Sequence, residues 1–343
     1  MATQTPILSV TVLNYNYGHF LPTSMDSILG QTFKDFEVIL INDKSTDNSL
    51  DVIQPYLSDP RVRLVDHKEN KGFVNSLIEG VELSRGKYIT VISADDWILS
   101  STAFEKQISV LEENPQVAYA FTGYGLYEDE ETRTFLTRAS NESYIRPGVD
   151  VFQEFVLSTV PLHSGTILRR SCYDAIGGYD PKIRYSLDAQ IFLGMCHTGD
   201  IAYIDEVLYA YRRHLSSMSK GVSALQTALE EVFAILDWSF GLLSPADQRR
   251  LRRVKSKAEQ RALSAFAMDA IFSDQYRLGW RFFMVGLKIS PAKTIFQKAT
   301  PIIVLRTLLG KHGFTAIKRL KGLVRPGNKK AMSSEAGASM LAR

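Results

Sequence analysis

The chain has 343 residues, 45% hydrophobic and 22% charged, which excludes global disorder and allows one large domain or two modest ones. Its net charge is only +3, yet residues 245–330 hold 20 Lys and Arg against 4 Asp and Glu, so we expect an anionic partner for this part. Cys172 and Cys196 are too few for a disulfide framework or a zinc cluster, and we see neither a secretory signal nor a membrane-spanning run of ~20 apolar residues.

The first part of the chain alternates strand and helix patterns. Buried strands are predicted for ILSVTVLNYN, FEVILIND, VRLVDH, KYITVISADD and VAYAFTGYGLY. The helices predicted between them are FLPTSMDSILGQTF, ending near Gly30; STDNSLDVIQPYL, capped by Ser45 and Asp47; GFVNSLIEGVELSRG, closed by Gly86; and TAFEKQISVLEENP, stopped by Pro115. This alternation predicts an α/β fold with a Rossmann-like, mostly parallel central sheet and helices on both faces.

The later part of the chain follows a different pattern. Residues 131–220 contain loops and mixed strands, and the pattern from about 221 to 325 is helical. We therefore predict an α/β domain over residues 1–220 and a helical, basic C-terminal region over 221–325. Residues 326–343 are small and polar, which predicts a disordered tail.

Polar side chains follow the ends of the predicted strands: Asn14, Asp43, Asn70 and the adjacent pair Asp95 and Asp96. Ligands bind at the carboxyl ends of parallel strands, so these residues are candidates for a binding site. The first strand ends in NYNYGHF, which lacks the glycine pattern of a dinucleotide fold, and NKG is not a Walker loop. Two adjacent carboxylates after a buried strand call for a cation, and a divalent metal that bridges phosphate oxygens would supply it.

Five stretches, in order, resemble glycosyltransferase family 2. They are SVTVLNYNYGHFLPTSMDSILGQTFKDFEVILINDKSTDNS, NKGFVNSLIEGVELSRGKYITVISADDW, RRSCYDAIGGYDP, SLDAQIFLGMCHTGD and YRRHLSSMS. The resemblance covers residues 6–220 and implies the nucleotide-diphospho-sugar transferase fold, with an Asp-x-Asp-like metal motif. It implies that residues 1–220 form the catalytic domain of an inverting enzyme that uses a nucleotide sugar, in our prediction a UDP-sugar, with Mg²⁺ or Mn²⁺.

The resemblance also implies roles on the donor side. The implied donor-binding residues are Asn14, Tyr15, Asp43, Asn70, Lys71 and Asp95. The Asp43 carboxylate can accept from a uracil N3–H and Tyr15 can stack on the base, while Asn70 and Lys71 match a stretch near ribose or phosphate. Alternatives stay open from the residues alone: Asp43 as a helix cap, Tyr15 as a core aromatic and Lys71 as a solvated surface lysine.

Asp96 and His214 are the metal ligands that the resemblance implies. A bound metal would stabilise the leaving diphosphate as negative charge develops on it. A lone histidine is more often structural, but His214 follows Arg212 and Arg213, which could pair with phosphate.

On the acceptor side, the resemblance implies that Asp188 is the general base, with Gly178, Tyr179 and Asp180 forming a turn beside it. Asp188 could instead be a helix-start residue, which the helix dipole favours there.

Three positions depart from the family's usual pattern. Ser93 stands where the family often has Asp, Lys44 where it usually has Gly, and Leu187 where it usually has Glu. These departures affect the prediction of the donor's identity and of the acceptor geometry more than they affect the prediction of the reaction class. The missing Glu keeps open a non-catalytic protein that binds sugar nucleotides or glycans. A sugar-1-phosphate nucleotidyltransferase is a further alternative, but it should carry a Gly-rich basic loop where this chain has NYNYGHF.

The segment FTAIKRLKGLVR, residues 314–325, predicts an amphipathic helix with one apolar and one basic side. Such a helix can lie in a bilayer interface, or it can pack on the catalytic domain with a solvated basic face. No recognised nucleic-acid-binding motif accompanies the charges. We therefore predict an anionic membrane partner and a cytoplasmic protein, peripheral at the inner face of the cell membrane. The predicted acceptor is a glycan or lipid-linked glycan of bacterial surface polysaccharide synthesis.

Overall fold

Strands form where the sequence is rich in β-branched and aromatic residues. The computed structural model describes residues 5–128, 131–158, 161, 163–214, 225–289, 291–296 and 299–320, without the side chains of 292, 293, 296 and 310–320. The strands within these ranges are β1 (Leu8–Asn14), β2 (Phe36–Asn42), β3 (Val62–Asp66), β4 (Tyr88–Ser93), β5 (Trp97–Ile98), β6 (Val117–Tyr127), β7 (Arg133–Thr137), β8 (Tyr144–Arg146), β9 (Thr166–Arg169) and β10 (Asp200–Arg212).

These strands form one sheet in the order β3-β2-β1-β4-β9-β6-β10-β5, with β7 beside β6 and β8 beside β10. The four strands β3, β2, β1 and β4 are parallel, as predicted. Beyond them the sheet is mixed, because β9 is inserted antiparallel between β4 and β6. The predicted Rossmann-like α/β fold is confirmed. Its parallel strands form two groups, the first four strands of that order and the pair β6 and β10.

The helices that accompany the sheet are α1 (Leu21–Leu29), α2 (Ser49–Ile53), α3 (Phe73–Leu83), α4 (Ala103–Glu113), α5 (Gly148–Phe155), α6 (Arg170–Ala175) and α7 (Leu187–Met195). Helix α3 ends before the predicted Gly86, since Ser84 already has an extended backbone. Gly86 instead packs on β1, where a Cβ atom would lie 2.6 Å from the Ser9 nitrogen. Helix α2 starts at Ser49, whose N–H donates to Asp47 Oδ1 at 3.0 Å.

The chain divides into two compact units, residues 1–152 with 161–215, and residues 153–160 with 216–343. In the first unit every residue of β1 and β2 is buried. Strands covered on both faces need continuous apolar runs, which is why ILSVTVLN and FEVILIN could be recognised in the sequence.

The second unit is helical over its described residues: α8 (Leu225–Gly241), α9 (Pro245–Phe272), α10 (Tyr276–Ile289), α11 (Pro291–Phe296) and α12 (Ala299–Leu320). Ser244 caps α9, because its Oγ accepts the Asp247 N–H at 3.1 Å. The core of this unit includes Phe266, Phe282 and Ile303. The helical C-terminal region is thus confirmed as far as residue 320. The side chains of the predicted amphipathic segment and the tail at 326–343 lie outside the described residues.

Asp269 on α9 is a buried carboxylate whose titration should be visible in the stability of the protein. Among the described residues its Oδ2 has no hydrogen-bond partner, and burial raises its pKa to about 7. An unfolded Asp titrates near ~3.9, so the folded protein holds an extra proton between these values and loses stability as pH rises through them. Asp269→Asn should remove this loss. In thermal melts, the melting temperature of the variant should be several degrees above that of wild type at pH above 7, and this difference should shrink toward pH 5. A difference in melting temperature that does not change with pH would contradict the assignment.

Candidate active site

The ends of three parallel strands bring the predicted polar residues to one edge of the sheet. Asn14 at the end of β1 is level with Asn42 at the end of β2. On the other side of β1, Leu13 is level with Ser93, the last residue of β4. The segments that follow β1, β2 and β4 therefore leave the sheet side by side, as the sequence predicted.

Asp95 and Asp96, which follow β4, are both buried. Asp96 Oδ2 accepts the Ser164 hydroxyl at 2.5 Å, and Asp96 Oδ1 accepts the backbone N–H of Arg212 at 3.0 Å. Asp95 Oδ2 lies 2.9 Å from His214 Nε2. Burial, together with the charge of Asp95, raises the pKa of Asp96 well above its ordinary value. The pair is thus a tightly held, electrostatically unfavourable arrangement of carboxylates, which a further cation would relieve.

Arg212 contacts both residues of this pair through its backbone and its side chain. Its guanidinium lies 4.3 Å from the centre of the Phe20 ring and 4.6 Å from that of Trp97, and its Nε donates to the Asp95 carbonyl at 2.9 Å. The side chain is buried, so it supports the Asp95–Asp96 turn. The sequence had suggested a phosphate partner for Arg212 or Arg213; the contacts of Arg212 favour a structural role for that residue.

His214 lies among aromatic rings. Its ring centre is 5.3 Å from that of Tyr17 and 5.1 Å from that of Phe20. Burial and the charges of Asp95 and Asp96 raise the pKa of Tyr17, so its hydroxyl stays protonated. These contacts fix the imidazole with Nε2 toward Asp95.

The residues here fit a divalent metal only in part. Among the described residues, no cluster of three or more His, Cys, Asp or Glu is arranged to hold a metal ion. Asp95 Oδ2 and His214 Nε2 nevertheless lie 2.9 Å apart, and Asp96 is the next residue along the chain. Mg²⁺ is commonly bound through one or two carboxylates, with substrate phosphates and water completing its coordination. These side chains could therefore supply only one or two of the ligands of a metal that arrives with a diphosphate.

Asp43, at the end of β2, fixes the loop that carries Asn70 and Lys71. Its Oδ1 accepts the Lys71 N–H and its Oδ2 accepts the Gly72 N–H, both at 2.8 Å. His67 Nδ1 lies 2.8 Å from Oδ1 as well. Asp43 does not cap the helix that follows it: its oxygens accept from Lys71 and Gly72, while the Ser49 N–H at the start of α2 donates to Asp47. The structure thus brings Asp43, Asn70 and Lys71 together, with the Asp43 carboxylate largely occupied by the loop.

The other residues predicted to bind the donor differ in their exposure. The Lys71 ammonium pairs with Glu79 at 2.6 Å. Asn14 is buried, and its Nδ2 donates to Asn42 and Ser45 at 3.0 and 3.1 Å. Tyr15 is 45% exposed and so is not a core aromatic. Of these residues, Tyr15 presents the ring that is accessible for stacking.

Asp188, in the first turn of α7, is held from one side. His163 Nδ1 lies 2.5 Å from Asp188 Oδ1, and the backbone N–H of His163 donates to the same oxygen at 3.0 Å. Among the described residues, Oδ2 has no hydrogen-bond partner, and 26% of the side chain is exposed. One oxygen is therefore anchored and the other is available.

The predicted acceptor-side turn lies against the helix that carries Asp188. Gly178 has a φ of +70°, a left-handed conformation that favours glycine. Its carbonyl accepts Gln190 Nε2 at 2.9 Å, and Gln190 Oε1 accepts the Asp180 N–H at 3.1 Å. The ring of Tyr179 meets that of His163 edge-on, with centres 5.4 Å apart. The turn and Asp188 thus form one connected group.

Sequence reasoning missed four residues that hold this site: His67, His163, Ser164 and Gln190. The two at 163 and 164 precede β9, in the irregular stretch where no periodic pattern marks an element. Gln190 lies two positions after Asp188, which is a weak signal at best. His67, one residue beyond β3, follows the strand-end rule that identified Asp43, and that rule could have found it.

Comparison with known proteins gives the class of this chain. Residues 9–177 match the family described as Glycosyl transferase family 2. The chain is a glycosyltransferase and belongs to family 2. It is 26% identical over 259 residues to an uncharacterised glycosyltransferase of Rickettsia prowazekii, covering 75% of this chain and 77% of that protein. It is 25% identical over 238 residues to a chondroitin synthase of Pasteurella multocida, covering 68% of this chain but only 23% of the longer protein.

Solved structures share the fold. S. aureus TarS, residues 1–349, superposes with a TM-score of 0.64 at 13% identity, over 84% of this chain and 82% of that one. The same protein in complex with UDP-GlcNAc gives a TM-score of 0.59 at 14% identity, over 76% of this chain and 80% of that one. At this identity the likeness establishes the nucleotide-sugar transferase fold that the sequence predicted.

Proposed function

We propose that this chain transfers a sugar from a nucleotide diphosphate, most directly a UDP-sugar, to a hydroxyl of a glycan or lipid-linked glycan, with inversion at the anomeric carbon. The observation that carries this proposal is that two separate sets of carboxylates lie in the same compact unit. Asp96 and His214 would face the donor diphosphate, with Asp95 beside them facing the ribose. Asp188, with one oxygen anchored and the other available, would face the acceptor. The fold shared with TarS, which has been solved with UDP-GlcNAc, supports a UDP-sugar donor.

In this proposal the nucleotide sugar is bound by residues of five segments of the chain. Tyr15 stacks on the base, because its ring is accessible. Asp43 contacts the base through its remaining acceptor capacity and keeps Asn70 and Lys71 in the loop beside it. Asp95 faces the ribose. Asp96 and His214 would hold Mg²⁺ or Mn²⁺, and the metal, when bound, would neutralise charge on the departing diphosphate.

On the acceptor side, Asp188 takes the proton of the attacking hydroxyl through Oδ2. Inverting transfer is a single displacement, so the hydroxyl attacks opposite the diphosphate and loses its proton as the new bond forms. The turn of Gly178, Tyr179 and Asp180 would shape the space that the acceptor enters, because Gln190 ties it to α7. Bacterial surface polysaccharide synthesis is the setting we infer, in line with the chondroitin synthase likeness.

A donor screen tests the proposed function. The protein is combined with a panel of nucleotide sugars and Mn²⁺, and thermal shift is followed by measurement of nucleotide diphosphate release. We expect one UDP-sugar to stabilise the protein and to be consumed, and EDTA to abolish consumption. Full activity in EDTA would remove the metal from the proposal. Binding without turnover against a glycan panel would favour the non-catalytic alternative, and pyrophosphate release from a nucleoside triphosphate would favour the nucleotidyltransferase.

We further propose that the second unit contacts an anionic membrane surface, which would place the enzyme at the inner face of the cell membrane. Residues 275–334 hold 13 Lys and Arg and no Asp or Glu. The exposed positions of α10 combine basic and apolar side chains: Arg277, Arg281, Met284, Val285, Lys288 and Ile289. On α12, Leu308 is 76% exposed. None of the helices in the described ranges combines the length and apolarity needed to span a bilayer.

Flotation with liposomes tests the membrane contact. Each Lys or Arg near an anionic surface contributes ~1 kcal/mol, so vesicles containing phosphatidylglycerol should carry the protein upward and neutral vesicles should not. Arg281→Glu and Lys288→Glu should each reduce recovery several-fold, and Leu308→Ser should reduce it less. Arg133→Glu, a reversal on an exposed residue of β7, is the matched control. Equal recovery with neutral and anionic vesicles would contradict the proposal, as would equal effects of all three reversals.

A further inference from the structure

One dipeptide touches both functional carboxylate groups of the site. Ser164 donates its hydroxyl to Asp96 Oδ2 at 2.5 Å. Its neighbour His163 lies 2.5 Å from Asp188 Oδ1 through Nδ1 and 3.0 Å from it through the backbone nitrogen. Adjacent residues are only ~3.8 Å apart at their Cα atoms, so the donor-side and acceptor-side carboxylates are linked through a single, short piece of chain.

The backbone around this dipeptide is fixed by its surroundings. Gly165 has a φ of +108°, and a Cβ atom there would lie 3.3 Å from the Tyr209 ring. The His163 carbonyl accepts from Thr166, from Oγ1 at 2.9 Å and from the backbone N–H at 3.2 Å, which closes the turn. Thr166 begins β9, and its carbonyl accepts Thr90 Oγ1 of β4 at 2.7 Å. The antiparallel insertion of β9 beside β4 thus places residues 163–165 at the edge of the sheet where Asp95 and Asp96 lie.

The contacts of His163 leave Asp188 with a defined orientation. Both N–H groups of His163 meet the same oxygen, Oδ1, and an ionised carboxylate can only accept, so Nδ1 carries the proton. The imidazole itself is confined, since Tyr179 packs against it and its Nε2 is buried without a hydrogen-bond partner among the described residues. A carboxylate held through one oxygen presents the other in a fixed direction.

We propose that His163 is the positioning residue of the general base, and that the His163–Ser164 dipeptide sets the distance between the base and the metal-binding carboxylate. His163 fixes Asp188 Oδ1 so that Oδ2 meets the acceptor hydroxyl, and Ser164 fixes Asp96. This inference depends on the proposed role of Asp188. His163 lies outside every motif predicted from the sequence. In this inference it affects turnover without touching either substrate.

The test uses two substitutions of the same residue that differ in where they place an amide. In His163→Asn the side-chain N–H can occupy the position of Nδ1, whereas in His163→Gln it falls nearer that of Nε2. We expect Gln to lower kcat about 10- to 100-fold, the loss typical of a displaced catalytic group, and Asn to restore a substantial share of it. Neither change should alter the affinity for UDP with Mn²⁺, measured by calorimetry. Ser164→Ala, in contrast to the two His163 variants, should weaken UDP–Mn²⁺ binding.

A double variant separates this inference from the proposed function. If His163 acts through Asp188, then His163→Gln combined with Asp188→Asn should be no slower than Asp188→Asn alone. A further loss in the double variant, or wild-type kcat in His163→Gln beside an inactive Asp188→Asn, overturns the inference and leaves the base in place. Near-wild-type turnover in Asp188→Asn overturns the base itself. NMR of ¹⁵N-histidine-labelled protein gives a readout without turnover: a low-field Nδ1 proton should be present in wild type and shifted in Asp188→Asn, and its absence in wild type contradicts the contact.

Discussion

Asp188→Asn should lower the rate of sugar transfer by ~10²–10⁴-fold, the usual contribution of a positioned general base. The amide keeps the size of the side chain and its Oδ1 can still accept from His163, but it cannot take a proton from the acceptor hydroxyl. Leu187 stands where the family usually has Glu, so the neighbouring position has no second carboxylate to replace Asp188. The fall should appear in kcat at saturating donor, in initial-rate assays with the donor found in the screen.

Binding and stability measurements separate this loss from misfolding. The affinity for UDP with Mn²⁺ and the melting temperature should stay close to wild type, because the proposed role of Asp188 is on the acceptor side and a quarter of its side chain is exposed. Asp174→Asn, at an exposed position of α6, is a control with the same change of charge. Transfer within a few-fold of wild type would leave Asp188 as a helix-start residue. The search for the base would then move to Asp180, which lies in the adjoining turn.

The residues of the proposed donor half of the site could be located from the sequence because they follow regular structure. Strands β1, β2 and β4 are long and buried, so their ends, and hence Asn14, Asp43, Asp95 and Asp96, could be read from the sequence. Lys44, the residue after Asp43, shows how the backbone conformation after β2 restricts the residue type. Its φ of +61° is left-handed, which accounts for a glycine being usual at this position in the family.

The acceptor half could not be predicted in the same way. Strand β9 has only four residues, Thr166–Arg169, too few for a periodic signal, yet its antiparallel insertion brings His163 and Ser164 to the site. The tie between Gln190 and Gly178 depends on a long-range contact, for which the residue types give no hint. Family resemblance supplied Asp188, but the residues that orient it became visible only in three dimensions.

Asp96→Asn should reduce UDP binding in the presence of Mn²⁺ and lower turnover by ~10²-fold or more, because a metal ion stabilises the leaving diphosphate by several kcal/mol and each 1.4 kcal/mol is tenfold. The amide can still accept from the Ser164 hydroxyl or the Arg212 N–H, so the turn should stay folded. Removing one of two adjacent buried charges should even raise the melting temperature of the metal-free protein, since the strain of placing Asp95 beside Asp96 is relieved. A loss of function together with a gain of stability is the signature of a carboxylate kept for its ligand.

The measurement is calorimetry of UDP with and without Mn²⁺, run beside thermal melts in EDTA. Wild type should bind UDP more tightly with the metal, and Asp96→Asn should bind it equally weakly in both conditions. Asp51→Asn, at an exposed position of α2, controls for the loss of one charge. If Asp96→Asn kept the full metal-dependent gain in UDP affinity, the metal would have to be held elsewhere, and Asp95 with His214 would be the next pair to test, because their side chains already meet at 2.9 Å.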